Sequence, residues 1–433
     1  MNESQFPLAS ELFDQARQLD AADPISVFRE EFHFPQTPAG EDELYLVGNS
    51  LGLQPKRTRE YVMQELDAWQ SLGVRGHFQG DYPWMPYHEF LAEGMAQLVG
   101  AQADEVVVMN TLTVNLHLMM ASFYRPEGKR NRILLESHAF PSDHYAVESQ
   151  IQWHGLDPAE CMVLLEPDGG RETILTERIC EYIREHHDEL AMILLPGVQY
   201  YTGQVFDIRV ITETAHEFGI LAGFDLAHAV GNVPLSLSQW GVDFACWCTY
   251  KYLNSGPGAV GGCFVNAKHS QDPACRRLAG WWGHDKESRF RMENRFVPIR
   301  TAEGWQLSNP PILSLAAIRA SLDVFQRVGG MPKLREKSLK LTGFFSHCLD
   351  ALLAEQVETL TPQDPSSRGC QLSLSIHLRE GSGKSVYEQL ELAGIRTDWR
   401  EPNVIRAAPV PLYNSYQDVY RFVDALAQLL GER

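Results

Sequence analysis

The chain has 433 residues, and 37 Lys+Arg against 56 Asp+Glu give it a net charge of −19. With 44% apolar and 21% charged residues it has the composition of an ordinary globular protein with a large core. The acidic balance argues against nucleic acid and against anionic membrane surfaces as partners, because both need clustered Lys and Arg.

Length alone suggests two or three domains. No apolar run approaches the roughly 20 residues that span a bilayer. The acidic N-terminal stretch lacks the basic and apolar regions of a signal peptide. Eight scattered cysteines are too few for a disulfide scaffold. The expectation is a cytoplasmic protein with reduced, buried thiols.

In chain order, strand patterns fall at 44–47, 105–109, 132–135, 161–165, 191–195, 220–224, 243–248 and 260–265. Several are apolar throughout, as in strands covered on both faces. Helical patterns lie between them at 57–72, 88–99, 113–123, 173–186 and 208–218. This alternation predicts an α/β fold with a mostly parallel sheet between helices. Two long helices follow, 312–328 and 332–355, broken at Gly329, Gly330 and Pro332. Beyond them, strands near 371–376 and 404–407 and helices near 385–393 and 415–430 suggest a smaller α+β domain. The expected division is an N-terminal segment 1–60 packing with the small domain, a large domain 61–328, and a C-terminal small domain 329–433.

Three motifs mislead. Gly48-Asn49-Ser50-Leu51-Gly52 matches the nucleophile elbow of serine hydrolases. Only about 45 residues precede it, too few for the strands that supply an oxyanion loop, so it reads as a strand-to-helix turn with glycines for unusual φ. Gly256-Pro257-Gly258-Ala259-Val260-Gly261 matches a dinucleotide fingerprint but precedes a strand rather than a helix. It reads as a glycine-rich crossing beside an active site. Gly381-Ser382-Gly383-Lys384-Ser385 is half a P-loop whose first glycine is replaced by Leu378, and it reads as a helix N-cap. No second ligand pair stands at zinc spacing from Cys246-x-Cys248, and the run 185–189 (EHHDE) reads as a solvated helix end, so no metal is expected.

The informative stretch is 223–262, GFDLAHAVGNVPLSLSQWGVDFACWCTYKYLNSGPGAVGG. Asp225 ends one apolar strand, with His228 three residues later, and a second buried strand leads to Thr249-Tyr250-Lys251. A lysine at the end of a buried strand loses hydration, which eases deprotonation and suits Schiff-base chemistry with an aldehyde. An acid ending a neighbouring strand can pair with a buried cation. Pyridoxal 5′-phosphate (PLP) needs both, a lysine and an acid on its ring nitrogen. Strand ends of an open parallel sheet are also where ligands bind. An anion cradle is available at 110–115 (NTLTVN), where Thr111 or Thr113 can cap a helix start.

These residues resemble the kynureninase family of fold-type-I PLP enzymes, in the aspartate aminotransferase superfamily. The resemblance runs from YLVGNSLGLQPK through TLTVNLHLMM, HAFPSDHYAVESQ, YYTGQ, GFDLAHAVGNV, CWCTYKYLN, GWWGH and LSNPP to REPNVIRAAPVPLYNS. It implies that Lys251 carries the cofactor and then moves the Cα proton, that Asp225 pairs with the pyridinium, and that Tyr250 bonds the phosphate and assists proton transfer. Leu112 and Thr113 would meet the phosphate. Phe140 would stack on the ring, with Pro141, Ser142, Asp143 and His228 alongside. Trp281 and Asn309 would serve cofactor and substrate, partly across a homodimer interface. Arg406 would clamp the substrate α-carboxylate, a bidentate task suited to guanidinium. Ser50 and His77 would hold the aryl group.

The implied reaction is hydrolytic Cβ–Cγ cleavage of L-kynurenine or L-3-hydroxykynurenine, giving anthranilate or 3-hydroxyanthranilate plus L-alanine. His77 resembles the branch that favours the 3-hydroxy substrate. One departure is Pro196, where relatives commonly carry Ser or Thr. A desulfurase of this fold would need a mobile nucleophilic cysteine, but Cys370 opens an alternating apolar segment and reads as core.

Overall fold

The computed structural model describes residues 5–167, 169–378 and 382–431. The chain forms two compact units, one of Met1–Arg57, Tyr201–Val205 and Asp323–Arg433, the other of Thr58–Tyr200 and Phe206–Leu322.

The second unit is built on a seven-stranded sheet. Across the sheet the strands run Val106–Val108, Gly262–Val265, Phe244–Trp247, Leu221–Asp225, Leu190–Pro196, Arg132–Glu136 and Met162–Leu165. The four pairings among the last five strands are all parallel, as the uniformly apolar runs predict. Gly262–Val265 is the exception and runs antiparallel to both of its neighbours. Each expected strand of this unit is present. The ends shift by a residue or two, where apolar patterning gives way to turns. The core joins strand residues such as Leu135, Met192, Phe244 and Cys263 to Leu116, Met119 and Phe123 of the helix Leu112–Phe123. The helix Pro141–Trp153 also packs there through Val147 and Ile151. That helix is absent from the sequence expectation, which treats its start only as a site loop.

In the first unit, Val357–Thr359, Leu372–Ile376, Val404–Ala407 and Asp398–Arg400 form an antiparallel sheet. The helices Gly330–Leu353 and Tyr416–Gly431 supply Leu341, Phe345, Cys348, Phe422 and Leu426 to its core. An unexpected N-terminal helix, Gln5–Ala21, adds Leu12 and Ala16. Leu44–Tyr45 pairs in parallel with Ile395–Arg396. The second long helix begins at Gly330 rather than Pro332, since Gly329 at φ +91° already makes the break. Ser382 caps Gly383–Leu392 by accepting from the Lys384 N–H, as expected of the half P-loop; Gly381 lies outside the described residues.

Gly48 and Gly52 do not adopt positive φ, contrary to expectation. Gly48 is required instead for close approach, because a Cβ there would collide with the Tyr413 hydroxyl. Seven of the eight cysteines are buried, Cys370 among them, and all are free thiols. No helix among the described residues is long and apolar enough to cross a membrane.

Candidate active site

Parallel pairing sets the carboxyl ends of several strands along one edge of the large sheet. Pro196, Asp225 and Cys246 stand abreast there. The Asp225 side chain is buried, and its Oδ1 accepts from the Ala227 N–H at 2.7 Å. Lys251 follows the strand Phe244–Trp247 in a tightly bonded turn. The Thr249 hydroxyl donates to the Val260 carbonyl at 2.6 Å, and the Asn254 N–H to the Lys251 carbonyl at 2.9 Å. Gly256 and Gly258, at φ +94° and +67°, let the chain reverse after it. The result is a half-buried lysine whose Nζ lies 2.9 Å from His228 Nε2.

A second carboxyl shares this pocket. Asp143, in the first turn of Pro141–Trp153, is buried beside Asp225. Burial, and then the neighbouring Asp225 charge, push Asp143 well above the ordinary carboxylate range. Burial also raises Asp225, while the Ala227 N–H and the Lys251 ammonium favour its ionised form. Glu136 closes the strand Arg132–Glu136, two strands along from that of Asp225, where burial raises it to about 7 against the hydrogen bond from Gln199. The Tyr250 phenol is raised by burial and then by Cys248.

The residues 110–115 take a different form from the simple cap expected. Thr111 is the N-cap of Leu112–Phe123, yet it makes no side-chain cap. Thr113 Oγ1 instead lies 2.8 Å from Ser142 Oγ, so this bond ties the starts of two helices together. Their first-turn N–H groups and dipoles therefore converge, an arrangement that favours an anion. Asn110, at φ +50°, accepts through its carbonyl from the Gly261 N–H at 2.8 Å, joining this turn to the glycine-rich crossing.

These residues fit PLP. Asp143 Oδ1 is buried without a hydrogen-bond partner, and among the described residues the two adjacent buried carboxyls face one lysine. A protonated ring nitrogen supplies a cationic donor, and the paired helix starts suit a phosphate.

The remaining expected residues occupy several surroundings. Phe140 is 45% exposed and meets Tyr200 edge-on at 5.2 Å between centroids. Pro141 and Asn309 are exposed, and Trp281 meets Trp282 and Phe290 edge-on. His77, in the short helical turn Gly73–His77, is half-buried with its Nδ1 lacking a hydrogen-bond partner. Ser50 and Arg406 belong to the other unit. Ser50 is exposed, whereas Arg406 is buried and donates to Asp398 at 2.6 Å. The structure thus brings together Lys251, His228, Asp225 and Asp143, and separately Thr113 and Ser142. Sequence reasoning missed Glu136 and Gln199. A lone acid closing the apolar run 132–136 (RILLE) is the same signal that exposed Asp225.

The match to known proteins agrees with this geometry. Residues 334–426 match the model of the kynureninase C-terminal domain. A kynureninase of Xanthomonas campestris pv. campestris (strain B100) is 54% identical over 94% of this chain and 96% of its own. One from Koribacter versatilis (strain Ellin345) is 53% identical over 94% and 95%. Among solved structures, a C-DES mutant with glycine covalently linked to its PLP cofactor superposes with a TM-score of 0.76 at 15% identity, covering 92% of this chain and 98% of its own. An apo cysteine desulfurase from Thermococcus onnurineus NA1 gives 0.75 at 16%, covering 94% and 98%. These two likenesses establish a shared fold, and the sequence identity to the curated relatives establishes the family. The chain belongs to the kynureninase family of PLP-dependent enzymes, which hydrolyse a carbon–carbon bond.

Proposed function

We propose that this protein adds water across the Cβ–Cγ bond of L-kynurenine and L-3-hydroxykynurenine, favouring the latter. The products are anthranilate or 3-hydroxyanthranilate and L-alanine. The observation that carries this reading is the buried Asp143–Asp225 pair beside Lys251 and His228, in a chain 54% identical to a kynureninase. When bound, PLP supplies an electron sink for a carbanion at Cα.

This chain's residues do the rest. Asp225 would pair with the protonated ring nitrogen, with Asp143 beside it. Lys251 carries the cofactor and then moves the Cα proton, with His228 at hydrogen-bond distance from its amine. Leu112, Thr113 and Ser142 hold the phosphate through the paired helix starts. Tyr250 bonds the phosphate and assists the proton transfer. Phe140 stacks on the ring, flanked by Pro141, and Trp281 and Asn309 complete the cofactor contacts. Arg406, already oriented by Asp398, receives the substrate carboxylate. Asn309 also meets the substrate, Ser50 and His77 hold the aryl group, and an imidazole at 77 meets the extra phenol of the 3-hydroxy substrate. The large domain is 61–328, the small domain is 329–433 with the segment 1–60, and the working form is a homodimer.

The test is kcat/KM for both substrates on PLP-loaded protein. Release of anthranilates supports the reading. Exchange of His77→Trp shifts the ratio toward kynurenine if His77 sets the preference. No turnover of either substrate by loaded protein overturns the proposed reaction.

A further inference from the structure

The buried Nδ1 of the His77 ring has no hydrogen-bond partner. Its orientation comes from the loop that follows it. The chain returns after residue 80 and bonds back to the turn, with the Trp84 N–H donating to the Gly76 carbonyl at 3.0 Å and the Met85 N–H to the His77 carbonyl at 3.1 Å. The Trp84 indole then lies against the His77 ring, edge to face at 5.3 Å and 88°. It also covers Gly76 so closely that a Cβ there would sit 2.6 Å from the ring.

The indole is fixed from its far side by Glu65. This residue of the helix Thr58–Leu72 is only 2% exposed. One carboxylate oxygen accepts from Trp84 Nε1 at 3.0 Å and the other from the Tyr87 hydroxyl at 2.9 Å. The charge is balanced by Arg319, whose Nη1 lies 3.6 Å from Glu65 Oε1. Arg319 in turn packs over the rings of Tyr82 and Tyr61, at 3.6 and 4.5 Å from their centroids. A buried carboxylate forked between an indole and a phenol, and backed by a caged guanidinium, holds the indole at one rotation. A charge-assisted bond of this kind is both stronger and more directional than a neutral one.

We propose that Glu65 and Trp84 are positioning residues for His77, and that the preference between the two aryl substrates depends on them. This inference rests on the proposed role of His77 at the aryl group. It adds to that role the device that aims the imidazole. Neither residue need touch substrate; they act by restricting the ring that does.

The experiment uses PLP-loaded enzyme and the ratio of kcat/KM for 3-hydroxykynurenine over kynurenine. Trp84→Phe keeps a ring on Gly76 but removes the N–H to Glu65. Glu65→Ala removes the acceptor, and Glu65→Gln keeps an acceptor for the indole. The expected result is a fall in the ratio of about fivefold or more for Trp84→Phe and Glu65→Ala, with Glu65→Gln close to wild type. The His77 imidazole signals in a ¹H–¹⁵N spectrum of the same proteins should shift in the first two variants and stay in place in the third. Should the folding of Glu65→Ala fail, Trp84→Phe alone carries the test. A loss of kcat/KM equal for both substrates, with unmoved imidazole signals, overturns the inference and makes the cluster merely structural. If His77→Trp itself leaves the ratio unchanged, the role of His77 falls and this inference with it. If His77→Trp shifts the ratio while Trp84→Phe does not, only the positioning role falls.

Discussion

Glu136 offers a measurement whose sign changes with pH. Its carboxyl is 3% exposed, and burial raises it from the ordinary 4.5 to about 7. Holding the carboxyl that far above its ordinary value corresponds to about 3 kcal/mol. Between pH 4.5 and 7 the folded protein retains a proton that the unfolded chain has lost, so stability falls as pH rises through this window and the loss is complete above 7. Glu136→Gln removes the titration at nearly constant volume. It also leaves one acceptor where the carboxylate offers two, to Gln199 Nε2 at 3.2 Å and the His138 N–H at 3.2 Å, a loss of about 1 kcal/mol. The variant is therefore less stable than wild type by about 1 kcal/mol at pH 4, about equal to it near pH 5, and more stable by about 2 kcal/mol at pH 8. In a chain of 433 residues this means a Tm about 1 °C lower at pH 4 and about 2 °C higher at pH 8. Calorimetry of both proteins at equal cofactor loading from pH 4 to 8.5 reads it directly. A Tm difference that stays constant across this range refutes the reasoning and returns Glu136 to an ordinary carboxylate.

Other perturbations probe the rest of the molecule. Lys251→Ala should abolish turnover, and retained release of anthranilates removes this lysine from the chemistry. Asp225→Ala should lower kcat by at least about a hundredfold, because a neutral pyridine is a poorer sink; near-normal kcat refutes the pairing. Arg406→Lys should raise KM about tenfold or more through loss of the bidentate fork, which steady-state kinetics will show. Asp243 is fully buried and bonded to His216, His269, Lys268 and the Ala222 N–H, contacts that hold its carboxyl below the usual range despite burial. Asp243→Ala should therefore cost about 3–5 kcal/mol at pH 7, read as a lower urea midpoint, and the cost should shrink as pH falls below the ordinary carboxylate range of about 3.9.

The large sheet was legible because its strands are covered on both faces. Runs such as Ala191–Leu195 and Phe244–Trp247 carry no polar residue, and each is found as a strand. Pro141–Trp153 escaped because its start, PSD, reads as a turn and only Ala146, Val147 and Ile151, with Asp143, are buried. Two-residue strands such as Phe32–His33 and Gln54–Pro55 are too short to show any period. Asp225, His228 and Lys251 were legible from local spacing. The coupling of Asp225 to Asp143 was not, since it depends on a crossing of helix and strand far apart in sequence. The Glu65–Trp84–His77 contacts were hidden for the same reason: only the fold turns an indole toward that helix.

The first unit is assembled from segments far apart along the chain, and this orders its birth on the ribosome. Leu44–Tyr45 pairs with Ile395–Arg396, and Asp20 accepts from the N–H groups of Tyr416 and Gln417. About 350 residues separate the two paired strands. At roughly 5–20 residues per second, the earlier segment waits about 20–70 s for its partner to emerge. The other buried residues of the core that takes up Leu12, Ala16, Leu44 and Leu46 all lie between Leu341 and Leu430. The nearly continuous Thr58–Leu322 unit can fold meanwhile. A nascent chain arrested before residue 395 should therefore present a folded sheet domain preceded by a greasy, unsheltered leader segment, which is the kind of species that chaperones hold.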